Sequence, residues 1–286
     1  EYAVEAVQKG AAVIVSEEEA LPTERKAQLI ALCRQKNPAV VWVETPCSRK
    51  ALAFLSAAFF KDPAERMITI GITGTKGKTT TAYLIREVLK QAGWKVGLIG
   101  TIETIIGEEH IPAGNTTPES CILQEYLYRM AQAGVQAVVM EVSSQGLKLG
   151  RTEGFLFDYG IFTNLGEDHI GPGEHRDLQE YISCKSLLFQ KCKTGILNLD
   201  DPFFQRILQD HSCKVITYGT SVQADYRALD PKLLKRDRKL AVEFLLRQQG
   251  TQEGKDRFFD TAAPGNFNVY NSLAAIALCR ELGISE

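Results

Sequence analysis

Apolar residues along the chain fall into short runs that alternate with helical faces. Ala11-Ala12-Val13-Ile14-Val15 and Ala39-Val40-Val41-Trp42-Val43 are brief runs bounded by turn or charged residues, a pattern that predicts strands buried on both faces. Helical patterns precede each run and follow the second. The stretch 61–66 is polar and contains Pro63, which marks a boundary between a first α/β unit, residues 1–64, and a longer second one, residues 65–286.

The second unit opens as strand (67–73), loop (74–77) and helix (78–92), with Leu84, Ile85, Val88, Leu89 and Ala92 on one helical face and Gly93 as the stop. A strand is expected at 95–99. Thr117 as N-cap and Pro118 at N1 predict a helix that buries Ile122, Leu123, Tyr126, Leu127 and Met130. Strands at 135–142 and 155–165, a helix at 177–190, strands at 195–199, 214–218 and 240–246, and a helix at 268–282 complete the pattern. The basic run 232–239 reads as a solvated face. This alternation predicts an α/β fold with a mainly parallel sheet flanked by helices.

Composition narrows the partners. The 286 residues are 44% hydrophobic and 24% charged, which excludes a disordered or collagen-like chain. Thirty-three basic against 35 acidic side chains leave a formal charge of -2, so no positive field holds nucleic acid or an anionic membrane non-specifically. The longest strongly apolar stretch, residues 51–60, is about half the ~20 residues of a bilayer span. The expectation is a soluble protein without nucleic-acid or membrane partners. The start at Glu1, without Met, suggests a truncated chain. Seven scattered cysteines without a C-x-x-C pair read as reduced, core-type thiols of a cytoplasmic protein.

The densest chemical signal is Gly71-Ile72-Thr73-Gly74-Thr75-Lys76-Gly77-Lys78-Thr79-Thr80. Its spacing departs from the strict phosphate-loop pattern, because Ile72 stands where the first glycine is expected. Gly74 and Gly77 still let successive N–H groups turn inward, and the following helix adds its positive end. Lys78 can reach the β- and γ-phosphates of a nucleotide, and the Thr79 hydroxyl can ligate Mg²⁺. A ligand-free glycine turn is the competing reading; the buried strand before and the amphipathic helix after favour the nucleotide.

Other residues admit two readings each. Thr116 and Thr117 offer hydroxyls at a helix start, for an anionic substrate or for a simple cap. Glu141 ends an apolar strand, where α/β folds bind ligands, and can hold Mg²⁺ or merely face solvent. His169 follows an acid at another strand end, as a ligand or a hydrogen-bonded loop residue. Lys185 shares about 60° of helical arc with Leu178, Ile182 and Phe189. It snorkels to the surface, pairs with an anion, or is carbamylated into an acid that ligates Mg²⁺. Asn268 and Asn271, three apart, present amides to a base or sugar, unless Asn268 only caps its helix.

In order, G-T-K-G-K-T-T (74–80), N-T-T-P (115–118), E-V-S-S (141–144), F-T-N-L-G-E-D-H (162–169), C-K-S-L-L-F (184–189) and G-N-F-N-V-Y-N-S-L-A-A (265–275) resemble the segments of the Mur ligase family. Its members join an amino acid to a carboxylate using ATP. The likeness is greatest to those that add the third residue of the peptidoglycan stem peptide. The resemblance implies ATP on Gly74, Thr75, Lys76, Gly77, Lys78, Thr79 and Thr80, with Asn268 and Asn271 near its base and ribose. It implies a UDP-N-acetylmuramoyl-peptide on Asn115, Thr116, Thr117, Ser143 and Arg151. One Mg²⁺ falls to Thr79 and Glu141, a second to His169 and carbamylated Lys185. Lys78, Glu141, His169 and Lys185 form the implied catalytic set.

In the implied mechanism the substrate carboxylate attacks the γ-phosphorus of ATP. The amine of an incoming amino acid then displaces phosphate from the acyl phosphate. Two positions depart from the family: Gln145 replaces its usual His, and Leu149 a frequent Gln. The connection 170–176 is also longer than usual. By resemblance, residues 1–64 are part of a UDP-substrate domain and 65–286 the central ATP-binding domain. The amino-acid-binding domain is missing, so the expectation is a monomeric piece that binds nucleotide and ligates poorly. The rivals are a folylpolyglutamate-synthase-like ligase and a phosphate-loop module without ligation; a small-molecule kinase needs an Arg-rich lid that the sequence lacks.

Overall fold

The structure is a computed structural model that describes residues 2–168, 170–236, 239–250, 256–261 and 264–284. The N-terminal part runs α1 (Tyr2–Gln8), β1 (Val13–Glu17), α2 (Thr23–Lys36), β2 (Val41–Thr45) and α3 (Ser48–Phe59). Strands β1 and β2 pair in parallel as a two-stranded sheet. The expected burial on both faces fails there: Val13, Val41 and Val43 are roughly half exposed, because two strands leave one face without a covering layer among the described residues. The polar stretch read as a boundary is a 3₁₀ turn, Pro63–Arg66, with Pro63 and Ala64 buried; Ala64 belongs to the larger core that follows.

That larger part comprises β3 (Ile68–Thr73), α4 (Lys78–Gln91), β4 (Val96–Ile99), β5 (Glu103–Ile106), β6 (Glu109–Pro112), α5 (Ser120–Gln132), β7 (Ala137–Glu141) and α6 (Ser144–Lys148). It continues with β8 (Phe157–Phe162), α7 (Leu178–Ser186), β9 (Cys192–Asn198), α8 (Phe204–Ile207), β10 (Lys214–Gly219), β11 (Tyr226–Arg236), β12 (Lys239–Gln248), β13 (Arg257–Asp260) and α9 (Asn266–Glu281). One sheet orders its strands β13-β12-β11-β10-β9-β8-β3-β7-β4-β5-β6. Its centre, from β11 to β4, is parallel, and both edges are antiparallel. The expected mainly parallel α/β sheet is therefore observed.

Two cores cover the sheet faces. Ile70, Ile72, Ile85, Leu89 and Leu273 pack under α4 and α9, while Leu123, Leu127, Phe157, Tyr181 and Leu188 pack on the α5 and α7 side. Burial of a large apolar side chain contributes about 1.5–3 kcal/mol, so these layers fix the height of every strand end. Five of the seven cysteines are buried, all seven are free, and Cys121 is exposed. Among the described residues no helix is long and apolar enough to cross a membrane.

Three local expectations change. The helix expected from Thr117 begins at Ser120 after Glu119, because the Thr117 hydroxyl is taken by tertiary contacts. It donates to Glu141 O at 3.0 Å and accepts from Ser143 N at 2.9 Å. Ile122 is 45% exposed rather than buried. The 177–190 helix ends at Ser186, with Asp177 as N-cap accepting from Glu180 N at 2.8 Å. The basic run stays solvated as expected, with Lys232 and Lys235 exposed on β11 in its antiparallel pairing with β12.

Candidate active site

Strand β3 delivers the glycine loop to the carboxyl ends of the central strands. Gly74 has φ +148°, and a Cβ there would sit 1.9 Å from Thr163 Oγ1, so only glycine fits. Gly77, at φ +86°, caps α4. The chain just after β8 templates the loop. Thr75 N donates to Asn164 O at 2.8 Å, Lys76 N to Asn164 Oδ1 at 3.0 Å, and Thr163 Oγ1 to Lys76 O at 2.8 Å. The turn at 198–202 braces that template from behind. Asn198 Nδ2 donates to Thr163 O, and Leu165 N donates to the buried Asp201 carboxylate, each at 2.9 Å.

Lys78 curls over the loop, its Nζ donating to Gly74 O at 2.9 Å and Thr75 O at 3.1 Å. Burial lowers its pKa, with the Glu141 charge pulling the other way. Thr79 Oγ1 donates to Glu141 Oε2 at 2.9 Å. Glu141 is 1% exposed and also accepts from Thr101 N and Thr101 Oγ1, so the bland exposed-carboxylate reading is wrong. Lys185 does not snorkel either. It is 1% exposed, its Nζ donates to Gly74 O at 2.9 Å and lies 4.4 Å from the centre of the Tyr181 ring. Burial and then the Lys78 charge hold this amine well below the ordinary lysine range. The Tyr181 hydroxyl reaches Thr75 Oγ1 at 3.2 Å.

Lys78, Asn115, Thr116, Ser143, Arg151 and Lys185 line one cavity of about 390 Å³. Six residues from five separate segments of the sequence thus meet. Thr116 Oγ1 lies 3.1 Å from Thr101 Oγ1, and Ser143 Oγ caps α6 through Gly146 N. Arg151 donates to Thr117 O at 3.0 Å and pairs with Glu119, while its Nε is buried without a partner. Thr117 is fully buried behind this wall. Lys76 is exposed on the loop and Thr80 on the first turn of α4.

Asn271 Oδ1 accepts from Thr81 Oγ1 at 3.1 Å, and Asn271 Nδ2 donates to Asn268 Oδ1 at 3.3 Å. Both amides are buried, and Asn271 ties α9 to α4. Asn268 is not the N-cap; Gly265 is. His169 lies outside the described residues. Sequence reasoning gave no role to Thr101 or Tyr181; only the contacts among distant segments reveal them. The turn at 198–202 reads from the sequence as structural, and Asp201 serves it so.

The carboxylate of Glu141 beside the Thr79 hydroxyl suits a hard divalent cation. Among the described residues no cluster of three or more His, Cys, Asp or Glu could hold a metal by itself. A Mg²⁺ here would have to draw its remaining oxygens from outside these two side chains, as this ion commonly does from phosphate and water.

A phosphate-type loop after the first strand of the larger sheet, with buried amines and an acid at neighbouring strand ends, defines an α/β protein of the phosphate-loop class. The description "Mur ligase middle domain" matches residues 72–279, and the chain belongs to the Mur ligase family. It is 39% identical over 251 residues to UDP-N-acetylmuramoyl-L-alanyl-D-glutamate–2,6-diaminopimelate ligase 1 of Clostridium acetobutylicum, covering 88% of this chain and 50% of that protein. The corresponding ligase of Geobacillus thermodenitrificans is 38% identical over 294 residues, covering 100% of this chain and 55% of its own length. A solved structure of a UDP-N-acetylmuramoyl-L-alanyl-D-glutamate–2,6-diaminopimelate ligase superposes with TM-score 0.76 at 24% identity, covering 97% of this chain and 59% of that one. The chain spans about half the length of the curated relatives it matches.

Proposed function

We propose that this chain is the nucleotide-binding centre of an ATP-dependent amide ligase acting in the cytoplasm. Its acid substrate is UDP-N-acetylmuramoyl-L-alanyl-D-glutamate, and the incoming amine is 2,6-diaminopimelate, as in the names of the relatives. One observation carries the reading: the half-buried Lys78 and the buried Lys185 both donate to the glycine loop, with no ion-pair partner among the described residues. The Lys78 charge there calls for a phosphate, and the Lys185 amine, held well below the ordinary lysine range, is open to carbamylation.

Lys78 is placed to leave the loop carbonyls for the β- and γ-phosphates and to neutralise the phosphoryl group in flight. Asn115, Thr116, Ser143 and Arg151 hold the muramoyl-peptide so that its carboxylate faces the γ-phosphorus. Attack gives an acyl phosphate and ADP; the amine then displaces phosphate. Thr79 and Glu141 would hold one Mg²⁺, which would neutralise phosphate charge when bound. Lys185, as a carbamate, would help His169 to hold a second. Asn268 and Asn271 shape the end of the nucleotide site through α9, and Thr117 supports the substrate wall from behind.

Calorimetric titration tests the reading. ATP with Mg²⁺ and the UDP-muramoyl-dipeptide should each bind, and folate should not. Folate binding without muramoyl-peptide binding would instead favour a folylpolyglutamate-synthase-like ligase; nucleotide binding alone would leave a non-ligating module.

A further inference from the structure

His175 has no part in the function proposed above, yet its imidazole is completely buried at the edge of the cavity. It arrives on the long 170–176 connection. Gly171 N donates to His175 O at 3.0 Å, and Ile170 bridges to His175, so the loop closes on itself. The ring Nε2 lies 2.8 Å from Ser144 Oγ, and its centroid 5.0 Å from that of Tyr181. Nδ1 faces Glu180 Oε2 at 3.6 Å, too long for a hydrogen bond but close enough to favour a proton on that nitrogen. Ser144, itself buried, lines the cavity.

The ring is held neutral, because burial and then the Lys148 charge lower its pKa. A neutral imidazole carries one proton. With that proton on Nδ1, Nε2 accepts, and Ser144 must spend its only proton on it. The Ser144 oxygen then offers the cavity lone pairs alone.

We propose that His175 is a positioning residue that fixes Ser144 as a hydrogen-bond acceptor for an N–H or O–H group of the acid substrate. This role rests on the functional reading above. It also explains how the wall beside Gln145 is ordered: an imidazole from a distant loop, rather than a neighbour in sequence, orients the serine.

Three variants and one spectrum test it. His175→Phe keeps a flat ring against Tyr181 without the nitrogen, His175→Gln restores a polar atom, and Ser144→Ala removes the hydroxyl. In calorimetry, His175→Phe and Ser144→Ala should each weaken UDP-N-acetylmuramoyl-L-alanyl-D-glutamate binding by about tenfold, as expected for one lost hydrogen bond. The double variant should be no worse than either single, since both cut the same link. ADP affinity should stay within about twofold, and His175→Gln should regain part of the loss. Imidazole ¹⁵N NMR of the ligand-free chain should show the proton on Nδ1. Additive losses, an equal loss of ADP affinity, or a proton on Nε2 would overturn the proposal. A chain that binds ADP but no muramoyl-peptide refutes the functional reading instead, and the tautomer alone then decides whether Ser144 is held as an acceptor.

Discussion

Lys78 and Lys185 donate to the same oxygen: each Nζ lies 2.9 Å from the carbonyl of Gly74. One amine comes from the first turn of α4 and the other from the last turn of α7, and neither has an ion-pair partner among the described residues. Burial disfavours both charges, and the Lys78 charge lowers the Lys185 pKa further. A phosphate on the loop would offset the Lys78 charge and so relieve this penalty on both amines.

A depressed pKa makes Lys185 a nucleophile under mild conditions. The neutral amine adds to CO₂, forming a C–N bond and releasing one proton. Since folding lowers the pKa, the neutral fraction is larger than for exposed lysines at the same pH and rises with pH. ¹³C NMR in labelled bicarbonate should show one lysine carbamate that grows as the pH rises, at pH values where exposed lysines are still protonated. Lys185→Arg should abolish it. A carbamate that survives that change, or none at all, refutes the assignment.

Gly74→Ala places a Cβ 1.9 Å from Thr163 Oγ1 at φ +148°, so both clash and backbone strain follow. Denaturant unfolding should show a loss of at least about 2 kcal/mol. Gly93→Ala, at φ +87° with nothing within 4 Å of the new Cβ, isolates the strain and should cost only about 1 kcal/mol.

Glu141→Gln keeps an oxygen that can accept from Thr101 N, and its amide can donate to the Thr79 and Thr101 hydroxyls, so it should fold normally. Its ATP affinity in the presence of Mg²⁺ should fall by about tenfold or more, while affinity without the cation changes little. Equal affinities with Mg²⁺ for both proteins would remove Glu141 from the metal site.

Asn271→Leu leaves the buried Thr81 hydroxyl without its acceptor. Stability should fall by about 1–3 kcal/mol, read from the denaturation midpoint at unchanged slope. An unaffected midpoint would mean that the α9–α4 hydrogen bonds contribute nothing.

Long apolar periodicity made the central strands and α4 legible, because strands buried on both faces and amphipathic helices write distinct repeats. The β5–β6 hairpin and β11 were missed. At the sheet edges the strands are short or rich in charge, and their pairing partners lie elsewhere in the chain. Thr117 misled for a related reason: its residue type suits a helix cap, but the Glu141 carbonyl and Ser143 N–H outcompete that local use. The loop, Glu141 and Lys185 were readable as chemistry, whereas Tyr181 and Thr101 became visible only when folding joined segments far apart in sequence.

The most direct test is a crystal structure with a non-hydrolysable ATP analogue and Mg²⁺. The account expects the β- and γ-phosphates on residues 74–80, Lys78 swung from the Gly74 carbonyl onto them, and the cation between Thr79 and Glu141. Phosphates bound elsewhere, with Lys78 still on the loop carbonyls and Thr79 still bonded to Glu141, would contradict it.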